Sequence, residues 1–100
     1  MEFIITPDLY EYMKRKNKEV IAVEVMGSDT SDFEYHELYV HFISSSRAQY
    51  FIEKRHAHEF KVPQGRILLP NYKLSYGDKI VFSLKKRWIF HSIGYDGINL

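Results

Sequence analysis

The sequence contains no cysteine, and this absence excludes several kinds of chemistry. Disulfide bonds, thiolate zinc sites, cysteine-held clusters and cysteine nucleophiles all need a thiol group. A metal site in this chain would therefore have to be built from histidine and carboxylate side chains.

Long apolar runs are also lacking. No stretch approaches the ~18 apolar residues of a membrane-spanning helix, and the N-terminal residues 1–5 lack the basic region and apolar core of a secretory signal. Of the 100 residues, 45% are hydrophobic and 27% are charged, as in ordinary globular proteins. We therefore predict one cytoplasmic domain over residues 1–100, with no membrane association.

Charge is divided unevenly between the two halves of the chain. Residues 1–46 carry four Lys or Arg against nine Asp or Glu, whereas residues 47–100 carry ten against four. Three explanations remain open: a basic face for a polyanion, head-to-tail association of copies, or two complementary halves of one fold.

A helix is predicted over residues 7–16. The Thr6 hydroxyl can cap free backbone donors, Pro7 fits the first helical position, and Asp8 suits the positive end of the helix dipole. Asn17 suits the left-handed residue that often ends a helix.

The middle of the chain predicts strands and loops. Residues 20–26, VIAVEVM, form a short β-branched run typical of a buried central strand. Turn-forming and acidic residues predict a solvated loop over residues 27–37, and alternation predicts a strand over 38–43 that the following serines end. Residues 49–62 are interpreted as extended, with a turn near 55–57.

The C-terminal part predicts a short strand over residues 66–69 and a hairpin over 79–95. Ile80, Phe82 and Leu84 share the core face of that hairpin. Its turn falls at the basic segment Lys85, Lys86, Arg87 and Trp88. The whole pattern predicts an α+β, mostly β fold with one N-terminal helix and six or seven short strands.

The same basic segment is the candidate nucleic-acid site. Three cations beside an aromatic ring match the chemistry that nucleic acid requires. Strand alternation places Lys85 and Arg87 on one face and Lys86 on the other. The simpler interpretation is a solvated hairpin end whose Trp88 packs inward.

Two histidines form the candidate metal site. His56 and His58 would share one face of a strand, and a third ligand such as His36, His41 or His91 would be needed to hold a metal. The surrounding residues, EKRHAHE, are those of an exposed edge or turn, so our prediction is that no metal is bound.

Catalytic motifs are missing from the sequence. The serines at 44–46 lack a G-x-S-x-G setting, and the isolated glycines form no phosphate-binding loop. We therefore predict a protein that is not an enzyme, with no catalytic residues and no cofactor.

Both ends of the chain resemble a known family. The segments FIITPDLYEYMKRKNKEVIAVEV and GDKIVFSLKKRWIFHSIGYDGINL are similar to the opening helix and strand and the closing strands of HesB-like proteins. These are relatives of A-type iron–sulfur carriers, and the likeness is to the branch with a paired Cys or Cys–selenocysteine motif. The resemblance implies a compact β-rich fold with one N-terminal helix and self-association.

The cysteines of that family have no counterpart here. They lie in the loop after the first strand, which corresponds to residues 27–32, and carriers have more near the C-terminus, where residues 93–97 have none. The resemblance therefore implies a scaffold that has lost cluster ligation and acts through protein contacts or self-association.

A second resemblance covers the segments GRILLP and LSYGDKIVF. They are similar to the G-R-I-x-x-P and G-D-x-[LIV] pattern of swapped-hairpin regulators, which bind DNA as dimers. The segment between Pro70 and Gly77 is shorter than the usual insert of that family. This resemblance implies the alternative function, nucleic-acid binding.

Overall fold

The computed structural model describes residues 1–30 and 33–100, with side chains described outside residues 28–36. The described residues form an α+β, mostly β fold, as predicted. Its elements in chain order are β1 Glu2–Ile5, α1 Pro7–Lys16, β2 Val20–Thr30, β3 Phe33–Ile43, α2 Ser45–Lys54, β4 His58–Val62, β5 Gly65–Leu69, β6 Ser75–Arg87 and β7 Phe90–Asn99.

Helix α1 begins and ends where the sequence predicted. Asn17 ends it in the left-handed conformation, with φ 56° and ψ 47°. The capping prediction for Thr6 was wrong: its side chain caps no backbone donor, and its hydroxyl donates instead to the Asp8 carboxylate. That carboxylate also accepts the Leu9 backbone N–H, so Asp8 supplies the local acceptor at this helix start.

The strands described form two mixed sheets. One has the order β1-β6-β7 and the other the order β3-β2-β5-β4. The pairs β1–β6 and β2–β5 are parallel, and the remaining pairs are antiparallel. Phe3 and Phe60 pack with ring centroids 5.1 Å apart, so β1 lies beside β4 at one side of the stack, while β3 approaches β7 at the other.

The main core lies between the two sheets. Apolar side chains from both sheets meet Leu9 and Met13 of α1 there, and Phe82 is fully buried among them, as predicted. A second apolar cluster covers the opposite face of the β3-β2-β5-β4 sheet, where Ala48 and Phe51 of α2 pack against neighbouring strands. Strand β2 therefore has apolar contacts on both faces, in agreement with its unbroken apolar sequence.

Helix α2 corrects the prediction of an extended segment from residue 49. Ser44 caps its start, since the Ser44 hydroxyl accepts the Arg47 backbone N–H at 3.2 Å. Ala48, Phe51 and Ile52 lie at helical spacing and carry its apolar contacts. The turn predicted near residues 55–57 is confirmed, because α2 ends at Lys54 and β4 begins at His58.

The predicted loop over residues 27–37 is also corrected. Strand β2 continues to Thr30, and β3 begins at Phe33. The two strands pair continuously from Thr30 with Phe33 to Val20 with Ile43. Residues 31 and 32 lie outside the described part of the chain. The described residues of this segment, 27–30 and 33–37, lie on strands that pair with each other.

The closing hairpin is confirmed. Strands β6 and β7 pair from Ser75 with Asn99 at one end to Arg87 with Phe90 at the other. The register shifts between Tyr76 and Val81 of β6. Among the described helices, neither α1 nor α2 is long and apolar enough to cross a bilayer.

Candidate functional site

The β6–β7 hairpin ends in an exposed tip, which we define as residues 85–92. Each residue of the tip is exposed, and the two-residue turn consists of Trp88 and Ile89. Trp88 is 89% exposed, and Ile89 and Phe90 are each 67% exposed. The tip therefore presents three consecutive large apolar side chains to solvent.

The expectation that Trp88 packs inward was wrong. The last hairpin pair with a buried member is Leu84 with Ile93, and the pairs beyond it extend past the core. Trp88 also has a positive φ of 55°, a backbone conformation that costs a bulky residue on the order of 1–3 kcal/mol. The indole is thus held at the turn itself and away from the core.

The strand pairing separates the basic side chains into two faces, as alternation predicted. Lys85 pairs with Ser92 and Arg87 with Phe90, and these four residues share the face of the β1-β6-β7 sheet that lies away from the core. We call this the outer face. Lys86 pairs with His91 on the core-side face, in line with Leu84 and Ile93.

Helix α1 lies against the core-side face of the tip. The His91 ring stacks on Tyr12 with centroids 5.2 Å apart. The pKa of the Asp8 carboxyl lies below its usual range, mainly because it accepts the Thr6 hydroxyl, and the positive charge of Lys86 acts in the same direction. His91 therefore contacts α1, and Lys86, its strand partner, lies on the same face.

On the outer face, Lys85 lies across β7. A Cβ atom added at Gly94 would come within 3.1 Å of both Cγ and Cε of Lys85. The aliphatic part of Lys85 thus covers the Gly94 backbone, which keeps the side chain on the outer face. The sequence segment 79–95 contains four Lys or Arg and no Asp or Glu, so the hairpin end is strongly cationic.

The candidate metal ligands whose side chains are described do not come together. His56 lies in the turn before β4 with φ 55°, whereas His58 is the first residue of β4, so the prediction of one shared strand face was wrong. His41 contacts Glu24 and His91 stacks on Tyr12, while the side chain of His36 lies outside the described part. Within that part, no three His or carboxylate side chains converge to hold a metal.

One polar cluster was not predicted. Glu24 of β2 accepts a hydrogen bond from Arg55 Nη1 at 2.9 Å through one carboxylate oxygen and a contact from His41 Nε2 through the other. Tyr39 stacks on His41 with centroids 4.2 Å apart. Because these partners are 17 and 31 residues from Glu24, no local sequence signal joins them.

This cluster borders a small cavity of about 190 Å³ between β2 and the end of α2, lined in part by Phe51, Leu68 and Tyr72. Both oxygens of Glu24 already have partners, so the carboxylate is not available as a free general base. The cluster connects the end of α2 to the sheet, and its geometry is that of a structural contact. The tip remains the strongest candidate site.

Comparisons of the chain with protein-family models, with curated proteins and with solved structures return no match.

Proposed function

We propose that this protein is a non-enzymatic cytoplasmic binding domain that binds nucleic acid through the tip. The observation that supports this most directly is the exposure of Trp88, 89%, at the turn next to the outer-face cations Lys85 and Arg87. An aromatic ring held in solvent next to cations offers stacking and phosphate contacts within a few ångströms of each other.

The contacts available at the tip are the two kinds that proteins use to bind nucleic acid without sequence preference. Stacking of one base on an aromatic side chain contributes about 1–3 kcal/mol, and each cation that meets a phosphate adds a salt-dependent term. The resemblance of GRILLP and LSYGDKIVF to DNA-binding swapped-hairpin regulators supports the same function, and the two segments form β5 and the start of β6.

The test is binding of fluorescently labelled oligonucleotides, DNA and RNA of mixed sequence, measured by anisotropy at low salt. Trp88→Ala should weaken binding about 5- to 150-fold, which corresponds to the loss of one stacking contact. Tyr50→Ala is the matched control, because Tyr50 is a 46% exposed aromatic residue on α2, which packs on the other sheet.

Two outcomes would overturn the proposal. One is the absence of binding by the wild-type protein at low salt, where the phosphate contribution is strongest. The other is an equal effect of Trp88→Ala and Tyr50→Ala, which would mean that the tip is not the binding surface.

A second candidate function is protein binding or self-association. It is favoured by Ile89, which is 67% exposed at the turn and has no ring with which to stack on a base. In this case the chain would be a HesB-like scaffold that has lost cluster ligation. Light scattering over a range of protein concentrations tests self-association: an oligomer that Ile89→Asp dissociates would support it, and a monomer at all concentrations would exclude it.

A further inference from the structure

We infer that the outer face of the hairpin end is the ligand-binding face, that Lys85, Arg87 and Phe90 act there together with Trp88, and that the ligand is single-stranded nucleic acid. This inference rests on the proposed function and specifies which side chains perform it. It divides three consecutive cations, Lys85, Lys86 and Arg87, into two that bind and one that does not.

The first step concerns the cations that remain available. Lys86 lies on the core-side face, and its strand partner on that face, His91, stacks on Tyr12 of α1. A phosphate on this side would have to fit against α1 and displace the contact between His91 and Tyr12. Lys85 and Arg87 lie on the opposite face. Their Cα atoms are roughly 6.6 Å apart along the strand, because a strand rises about 3.3 Å per residue.

The second step concerns access to the outer face. Helix α1 contributes Leu9 and Met13 to the core between the sheets, on the side of Phe82. Helix α2 contributes Ala48 and Phe51 to the far side of the other sheet. Neither helix of the described chain therefore packs on the outer face, where Lys79 precedes Lys85 and Arg87 on the same side of β6.

The third step concerns the strandedness of the ligand. Phe90 pairs with Arg87 and lies on the outer face, and Trp88 follows Arg87 at the turn. Two exposed rings beside a row of cations can stack only on bases that are not already stacked in a duplex. Charge complementarity thus favours a polyanion, and the rings favour an unpaired strand over a double helix.

The test compares two adjacent lysines that differ in the face they occupy. Lys85→Gln should weaken binding of a single-stranded oligonucleotide about eightfold at 50 mM salt. Each phosphate contact to a single strand releases about 0.7 counterion, and relative to 1 M salt the loss of one contact lowers the association constant by about that factor. The slope of log K against log salt should fall by about 0.7. Lys86→Gln should leave affinity within about twofold and the slope unchanged, although it removes the same charge.

Glutamine keeps the Cγ that lies over Gly94 but not the Cε, so thermal melts of each variant verify the fold. Arg87→Gln is a second outer-face variant and should behave as Lys85→Gln does. A duplex of the same sequence should bind at least about tenfold more weakly, because it offers no unpaired base for stacking.

The results separate the two levels of the proposal. If the wild-type protein binds no oligonucleotide, the proposed function fails. If it binds but Lys85→Gln and Lys86→Gln weaken binding equally, or if the duplex binds as well as the single strand, the proposed function stands and the outer-face inference fails. Binding to vesicles of anionic phospholipid that both substitutions reduce equally, without oligonucleotide binding, would overturn both.

Discussion

Gly97 is a position where the fold does not tolerate the addition of one methyl group. The pairing of β6 with β7 shifts there: Tyr76 pairs with Ile98, and the next pair is Val81 with Asp96. Residues 77–80 of β6 therefore stand opposite Gly97 alone, as in an extended β-bulge. Gly97 has φ +89°, and a Cβ added to it would lie 2.1 Å from the Lys79 carbonyl oxygen.

Two costs add up in Gly97→Ala. The left-handed backbone costs a residue with a Cβ roughly 1–2 kcal/mol. The clash is with backbone, so it must be relieved by moving β7 away from β6 beside Ile80 and Ile98, which are 0% and 3% exposed. Forced displacement in a packed core costs typically about 1–3 kcal/mol. We therefore expect a loss of about 2–5 kcal/mol in the free energy of unfolding.

Gly77→Ala is the matched control, because Gly77 faces Gly97 across the same bulge. A Cβ added there would meet its nearest neighbour, the Lys79 carbonyl oxygen, at 3.6 Å, an ordinary contact. Urea unfolding and thermal melts followed by circular dichroism should show at least about 8 °C loss of Tm for Gly97→Ala and a small change for Gly77→Ala. Equal stability of the two variants would refute the bulge geometry.

Three further predictions concern the core, a helix cap and a tyrosine. Phe82→Ala should lower the free energy of unfolding by about 3–5 kcal/mol in urea titrations, because the ring is fully buried; a loss below about 1 kcal/mol would contradict its place in the core. Ser44→Ala should cost about 1 kcal/mol by removing the acceptor of the Arg47 N–H, and Ser44→Asp should restore most of it; equal stability of all three proteins would show that the cap contributes nothing. Burial raises the pKa of the Tyr76 hydroxyl above 10.0, so Tyr76 ionises in the unfolded chain first as the pH rises. The contribution of this group to the free energy of unfolding is therefore fully present below about pH 10 and is lost above it. The free energy of unfolding should fall less for Tyr76→Phe than for the wild type between about pH 9 and pH 11. An equal fall in the two proteins would contradict the burial of the Tyr76 hydroxyl as the cause.

The elements that sequence could predict are those with local signals. Helix α1 has a proline at its first position, an acid in its first turn and Asn17 as its left-handed end, and each of these acts within a few residues. The closing hairpin shows alternating apolar residues, and Phe82 lies in the core as that alternation predicted.

The elements that it did not predict depend on longer-range contacts or on a wrong period. In α2, Ala48, Phe51 and Ile52 have helical spacing, but Tyr50 and Ile52 also match a period of two, and the second interpretation was wrong. Strands β2 and β3 continue through polar and turn-forming residues because the two pair with each other, and this pairing outweighs the local turn signals.

The candidate site was predictable in part for the same reason. Alternation correctly placed Lys85 and Arg87 opposite Lys86, because the register of a short hairpin is local. Exposure of Trp88 was not predictable, because it depends on how far the hairpin extends past the core. The contact of His91 with Tyr12 of α1 joins residues more than 70 positions apart and requires the tertiary fold.

The central claim is that the tip contacts nucleic acid directly, and the emission of Trp88 tests it most directly, because this is the chain's single tryptophan. Titration of the wild-type protein with a single-stranded oligonucleotide at low salt should quench the indole emission by stacking, and added salt should restore it. Emission that does not change on titration, or that shifts to the blue independently of salt as in an apolar interface, would contradict the account.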